Sequence, residues 1–103
     1  MQANELHWSN LEEYSSKILL LEKNESSKFM FHSKTIKSWF INSGKFVISI
    51  IDTKIGSEQS HPLSEGQTLH FPPLTVHKLT VIEPGSITEV STQDPNKDVF
   101  YIG

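Results

Sequence analysis

Two histidines, a lysine, a methionine and a tryptophan are the residues of this 103-residue chain whose types and spacing bear on chemistry. In Phe29-Met30-Phe31-His32, alternation places Met30 and His32 on one face of an extended segment. In Lys37-Ser38-Trp39-Phe40-Ile41 it groups Lys37, Trp39 and Ile41. Two imidazoles and an ammonium facing one interior would suit a carboxylate, a phosphate or an acidic sugar. The lysine would hold such a ligand as a point charge, with Trp39 as a wall. Burial lowers a lysine's pKa, so Lys37 would also serve as a proton-transfer base beside His77. His77 follows Pro72-Pro73, which stiffen the connection and deliver the histidine to a strand start.

Composition limits what such a site can be. The chain carries twelve acidic residues and nine basic ones, a formal charge of −3, and no basic run. A sequence-independent grip on nucleic acid or on an acidic membrane surface is excluded on that basis. All nine basic residues are lysine, so no guanidinium fork is available for phosphate. With no cysteine there is no disulfide framework and no thiolate metal site. The longest purely apolar run, Ile18 to Leu21, is far short of a membrane span or a signal-peptide core. A soluble cytoplasmic protein is expected. Neither a nucleophile elbow nor a phosphate-binding glycine loop occurs.

The elements that must position these residues read as short strands. Ser15–Leu21, Phe29–His32, Lys37–Ile41, Lys45–Asp52, His61–Leu63, Thr68–Phe71, His77–Ile82, Ile87–Ser91 and Val99–Ile102 have strand composition. Asn42-Ser43-Gly44 and Glu83-Pro84-Gly85-Ser86 read as turns that end strands. Residues 1–10 read as a polar lead-in, 10–14 as a short turn, Thr53–Ser60 as a loop and 93–98 as a polar connection. His7 and His61 read as solvent residues. Strands at this spacing without a helical period predict an all-β sandwich or barrel, with residues 1–103 as one domain.

The two stretches around His32 and His77 resemble the two motifs of the cupins. Gly66, Pro72 and His77 keep the spacing of the second motif, and His32, Lys37 and Gly44 fall at the second histidine, the glutamate and the closing glycine of the first. Within the cupins the chain is most similar to the carboxy-terminal barrel of bacterial type II mannose-6-phosphate isomerases. The resemblance runs through Trp8, His32 with Lys37 and Trp39, Phe71 to Lys78, and Lys97-Asp98-Val99-Phe100. It implies a cupin-type double-stranded β-helix, a jelly-roll barrel. It also implies that Met30, His32, Lys37 and His77 occupy the four metal-ligand positions.

Two of those four depart from the pattern. A thioether stands at Met30, and an ammonium at Lys37 replaces the anionic ligand. A unit positive charge about 4 Å from a dication costs on the order of 8 kcal/mol at an effective dielectric of about 20. No metal or other cofactor is therefore expected; a bound divalent ion would fall to His32 and His77. Lys78 and Leu74 stand where the resemblance has an arginine and a glycine. Leucine does not freely take the positive φ open to glycine, so the loop at the barrel mouth is expected to be narrower or stiffer.

The resulting expectation is a small-molecule-binding cupin with His32, Lys37, Trp39, His77 and Met30 around a small anion or sugar derivative. Any turnover would be sugar-phosphate isomerase- or epimerase-like, with Lys37 and His77 moving protons. The alternative is a non-enzymatic scaffold or dimerisation barrel with a decayed pocket. A homodimer is expected under either reading, since a second copy covers exposed sheet edges.

Overall fold

The computed structural model describes residues 4–10, 15–92 and 98–102, with side chains from Ser15 onward. Eight strands follow in order: β1 Asn4–Asn10, β2 Ser15–Leu21, β3 Phe29–Phe31, β4 Lys37–Asp52, β5 Ser57–Ser64, β6 Thr68–Phe71, β7 Val76–Ser91 and β8 Phe100–Ile102. The Trp8 side chain, the 11–14 part of the expected turn and residues 93–97 of the polar connection lie outside the described residues.

Every pairing is antiparallel, and two strands organise the molecule. β4 and β7 run together from Lys37 opposite Ser91 to Ile51 opposite Val76. The first half of β4 also pairs with β6, and its second half pairs with β5. The second half of β7 pairs with β2, which carries β1, while its first half meets β3, which carries β8. One layer is thus β1–β2–β7–β4–β6 and the other β8–β3–β7–β4–β5, with β4 and β7 passing through both. This is the cupin double-stranded β-helix.

The expected turns at Asn42–Gly44 and Glu83–Ser86 are corrected: both segments lie inside long strands. The ladder slips between Ile41 and Phe46, and an irregularity of this kind bends a strand without ending it. The slip also changes the inward parity, from odd-numbered Lys37, Trp39 and Ile41 to even-numbered Phe46 and Ile48. Gly44, at φ 93°, and Gly85 let the two backbones cross at the bend. A Cβ on Gly44 would lie 2.8 Å from the Gly85 Cα and the Pro84 carbonyl oxygen, and one on Gly85 would overlap the Ser43 backbone. Glycine is needed there for space, not to end a strand.

Two other readings are corrected. β1 occupies part of the supposed lead-in, so His7 lies on a strand opposite Lys17. β5 begins at Ser57 and carries His61 in its middle, although His61 is exposed as expected. Pro62 is tolerated in β5 because, among the described residues, that strand pairs with β4 alone.

The core draws on both layers: Leu19, Leu21, Trp39, Ile41, Phe71 and Ile87 face Phe46, Ile48, Leu63, Leu79 and Val81. Truncating a fully buried ring such as Phe46 to alanine would cost about 3–5 kcal/mol.

Candidate functional site

At the β6 end of the first layer the inward face turns from apolar to charged. Register places Lys17 opposite Glu89 and Glu89 opposite Trp39; the next row holds Ser15, Ser91, Lys37 and Phe71. Directly opposed residues share a face, so the sheet itself assembles this cluster. Lys17, Lys37 and Glu89 are each no more than 3 % exposed. Glu89 Oε1 accepts the Trp39 indole N–H at 2.8 Å and faces Lys37 Nζ at 3.8 Å. Its Oε2 faces Lys17 Nζ at 3.3 Å, an ion pair without a formed hydrogen bond. Lys37 Nζ also lies 5.0 Å from the Trp39 ring centroid and 5.1 Å from that of Phe71, within cation–π range. Burial lowers the Lys37 pKa to about 8, with Glu89 opposing the shift and Lys17 adding to it.

The two histidines enter from the other layer. His77 lies on β7 beside Phe71, its ring stacked at 4.5 Å between centroids, and Met30 on β3 is its cross-strand partner. His32 follows β3, 6.0 Å from His77 between ring centroids. Each Nδ1 is committed to a backbone carbonyl: His77 to Thr75 at 2.8 Å and His32 to Asp98 at 2.7 Å. A carbonyl only accepts, so Nδ1 carries the proton and Nε2 presents a lone pair. Both Nε2 atoms are buried without a hydrogen-bond partner. Burial, reinforced by the Lys37 charge, lowers the His77 pKa to about 3 and depresses that of His32 as well.

Asp98 fastens the loop that carries His32. Its carboxylate accepts from Ser33 N–H and Oγ–H, Lys34 N–H, and Thr35 N–H and Oγ1–H, at 2.6 to 3.2 Å. Burial alone would raise the carboxyl's pKa, but these donors hold it well below the usual carboxylate range. On the opposite side, Leu74 N–H donates to the His32 carbonyl at 2.7 Å. Leu74 achieves this at φ 65°, which corrects the expectation that leucine would be kept from the positive-φ conformation. The left-handed region costs a residue with a Cβ roughly 1–2 kcal/mol, and the bond to His32 helps to hold it.

The structure therefore brings His32, Lys37, Trp39 and His77 to one buried region, with Met30 half-buried on the same side of β3. Both imidazoles are held neutral, and the Lys37 charge faces Glu89. Lys78 is carried outward, with its Nζ 4.8 Å from the Phe29 ring centroid. Phe71 faces inward and His70 outward, where it meets Ser38 Oγ at 3.0 Å. Of the aromatic rings on β4, Trp39 and Phe46 are buried and Phe40 is exposed. Sequence reasoning missed Lys17, Glu89 and Asp98 as site residues. The parity of Ser15-Lys17-Leu19-Leu21 and Ile87-Glu89-Ser91 was the available signal for the first two.

A divalent metal fits this set poorly. Among the described residues no group of three or more histidine, cysteine, aspartate or glutamate side chains could hold an ion. Glu89 is tied to Trp39, Lys17 and Lys37, and the Lys37 charge acts on both imidazoles. No step is derived through a metal.

No family model matches the chain, and no curated protein does. Solved structures do. A cupin superfamily protein from Desulfitobacterium hafniense superposes with a TM-score of 0.76 at 15% identity, covering 90% of this chain and 79% of its own. A protein with a double-stranded β-helix domain from Klebsiella pneumoniae subsp. pneumoniae gives 0.80 at 12%, covering 99% and 85%. A mutant oxalate decarboxylase of Bacillus subtilis gives 0.77 at 19%, with 88% of this chain matching 24% of that one. These likenesses establish the cupin fold. Among the described residues no helix is long and apolar enough to cross a membrane.

Proposed function

We propose that this chain binds a small hydroxylated anion, of the sugar-acid or sugar-phosphate class, inside the barrel. The observation that carries the reading is the pair of buried Nε2 lone pairs on His32 and His77, each without a protein donor. Buried polar atoms are ordinarily satisfied, and two acceptors side by side call for hydroxyl donors. Lys37 supplies the complementary charge for a carboxylate or phosphate, and Trp39 and Phe71 supply ring faces. The resemblance to type II mannose-6-phosphate isomerases supports the sugar-phosphate class. The oxalate decarboxylase of the same fold is named for a small carboxylate. In this reading the protein works in the cytoplasm.

A thermal-shift screen of sugar acids and sugar phosphates tests it. Ligand at a hundredfold excess over Kd stabilises by about 2.7 kcal/mol, a rise of roughly ten degrees or more in Tm for a domain of this size. The rise should vanish in Lys37→Ala and shrink in His77→Phe. A flat screen across both classes would sink the proposal.

A second reading, a dimerisation scaffold, is favoured by β8. Among the described residues that strand pairs with β3 alone, and Phe100, Tyr101 and Ile102 are 50%, 61% and 46% exposed. An apolar edge of this kind is a template for a second copy. Sedimentation of wild type against Tyr101→Lys tests it; a concentration-independent monomer would remove it.

A further inference from the structure

We propose that Lys37 is a carbonyl-reactive amine, forming a Schiff base with a small hydroxy-aldehyde or hydroxy-ketone that enters the barrel. This rests on the binding proposed above and adds covalent chemistry to it.

Lys37 has one carboxylate neighbour among the described residues, Glu89, at 3.8 Å, the longer of the two contacts Glu89 makes with lysines. Oε1, the oxygen nearer Lys37, already accepts the Trp39 indole proton. Nζ also lies over the ring faces of Trp39 and Phe71, which attract a cation but accept no proton. A lysine desolvated among apolar rings and set near a second ammonium is how proteins prepare an amine as a nucleophile. The charged groups acting on Lys37 are Glu89, which favours its extra proton, and Lys17, which opposes it, while His32 and His77, within reach of its charge, are neutral imidazoles. Burial is the largest influence and lowers the Lys37 pKa to about 8.

The step conserves charge at the site. Lys37 loses a proton, and the freed Nζ lone pair attacks the carbonyl carbon. The C–N bond forms while the carbonyl pair moves to oxygen, which takes up the proton. The resulting carbinolamine expels its hydroxyl with a second proton from the nitrogen side, as water, leaving a protonated C=N bond. Ammonium and carbonyl have become iminium and water. The iminium restores the positive charge opposite Glu89 and over the two rings, so the adduct keeps the partners that the ammonium had. The His32 and His77 lone pairs then face substrate hydroxyls, which is why a hydroxylated carbonyl compound is favoured over a plain aldehyde.

The test uses the intact protein with glycolaldehyde and sodium cyanoborohydride at neutral pH, followed by peptide mass mapping over time. Lys37 should be labelled about tenfold faster than the exposed Lys23 and Lys54, its lower pKa leaving more free amine. Its labelling should rise with pH about a midpoint near 8, and Lys37→Arg should remove the fast phase. Labelling of Lys37 no faster than Lys23 overturns the inference, whatever the variant does. Glycolate, which offers a hydroxyl and a carboxylate but no reactive carbonyl, separates the two proposals. Tm elevation by glycolate without labelling at Lys37 leaves the binding reading intact and removes the Schiff base. Neither elevation nor labelling removes both.

Discussion

The backbone carbonyl of Asp98 accepts the Nδ1 proton of His32 at 2.7 Å, while the Asp98 side chain gathers five donors from residues 33–35. One residue therefore sets both the tautomer of a site histidine and the shape of its loop. Asp98→Ala strands three backbone N–H groups and two hydroxyls, and should cost about 2–4 kcal/mol in a denaturant titration. The ¹⁵N shifts of His32 should then show mixed tautomers, whereas those of His77, held by Thr75, should not change. An unaltered His32 spectrum would show that the Asp98 carboxylate is not needed to hold its own backbone carbonyl against His32.

Leu74 sits at φ 65° with its side chain largely exposed. Leu74→Gly should relieve about 1 kcal/mol of backbone strain while giving back some through a more flexible unfolded chain. A midpoint unchanged or raised by a few tenths of a kcal/mol is expected, in contrast to the loss that most glycine substitutions bring. A loss of more than 1 kcal/mol would mean that the leucine side chain contributes packing.

The buried charges should respond asymmetrically. Glu89 serves Trp39, Lys17 and Lys37 together, so Glu89→Gln should cost about 3–5 kcal/mol. Lys37→Met removes a desolvated ammonium with a single long ion-pair contact, and its stability should stay within about 1 kcal/mol of wild type. Equal losses in chemical denaturation would contradict the pairing described.

The depressed pKa values give stability a definite slope with pH. His77 is neutral in the fold down to about 3 but takes a proton near 6.5 when unfolded. Between those values the unfolded chain binds more protons, so stability falls as pH is lowered, by up to roughly 1.4 kcal/mol per unit. Lys37 acts in the same sense between about 8 and 10.5, where stability should rise with pH. His77→Phe should flatten the acid slope. An acid limb unchanged in that variant would place the titration elsewhere.

Much of this arrangement was legible in the residues because the strand period is two. Lys37, Trp39 and Ile41 point inward together, and the proline pair does lead His77 into a buried strand start. What escaped did so for physical reasons. Asn42–Gly44 and Glu83–Ser86 have turn composition, yet composition does not distinguish a chain that reverses from one that bends beside a partner. Glu89 and Lys17 form an ion pair across β2 and β7, a pairing no local pattern displays. Asp98 acts on a loop more than sixty residues away in sequence, which only the fold brings close.

The ladder joining β4 to β7 also sets an order of assembly. Its Ile51–Val76 end closes a much shorter loop than its Lys37–Ser91 end, so the entropy of closure favours zipping from the former toward the latter. Lys37, Trp39 and Glu89 lie at the end that closes last. Their charges meet after the rate-limiting barrier, so substitutions among them should quicken unfolding and leave the refolding limb of a chevron almost unmoved.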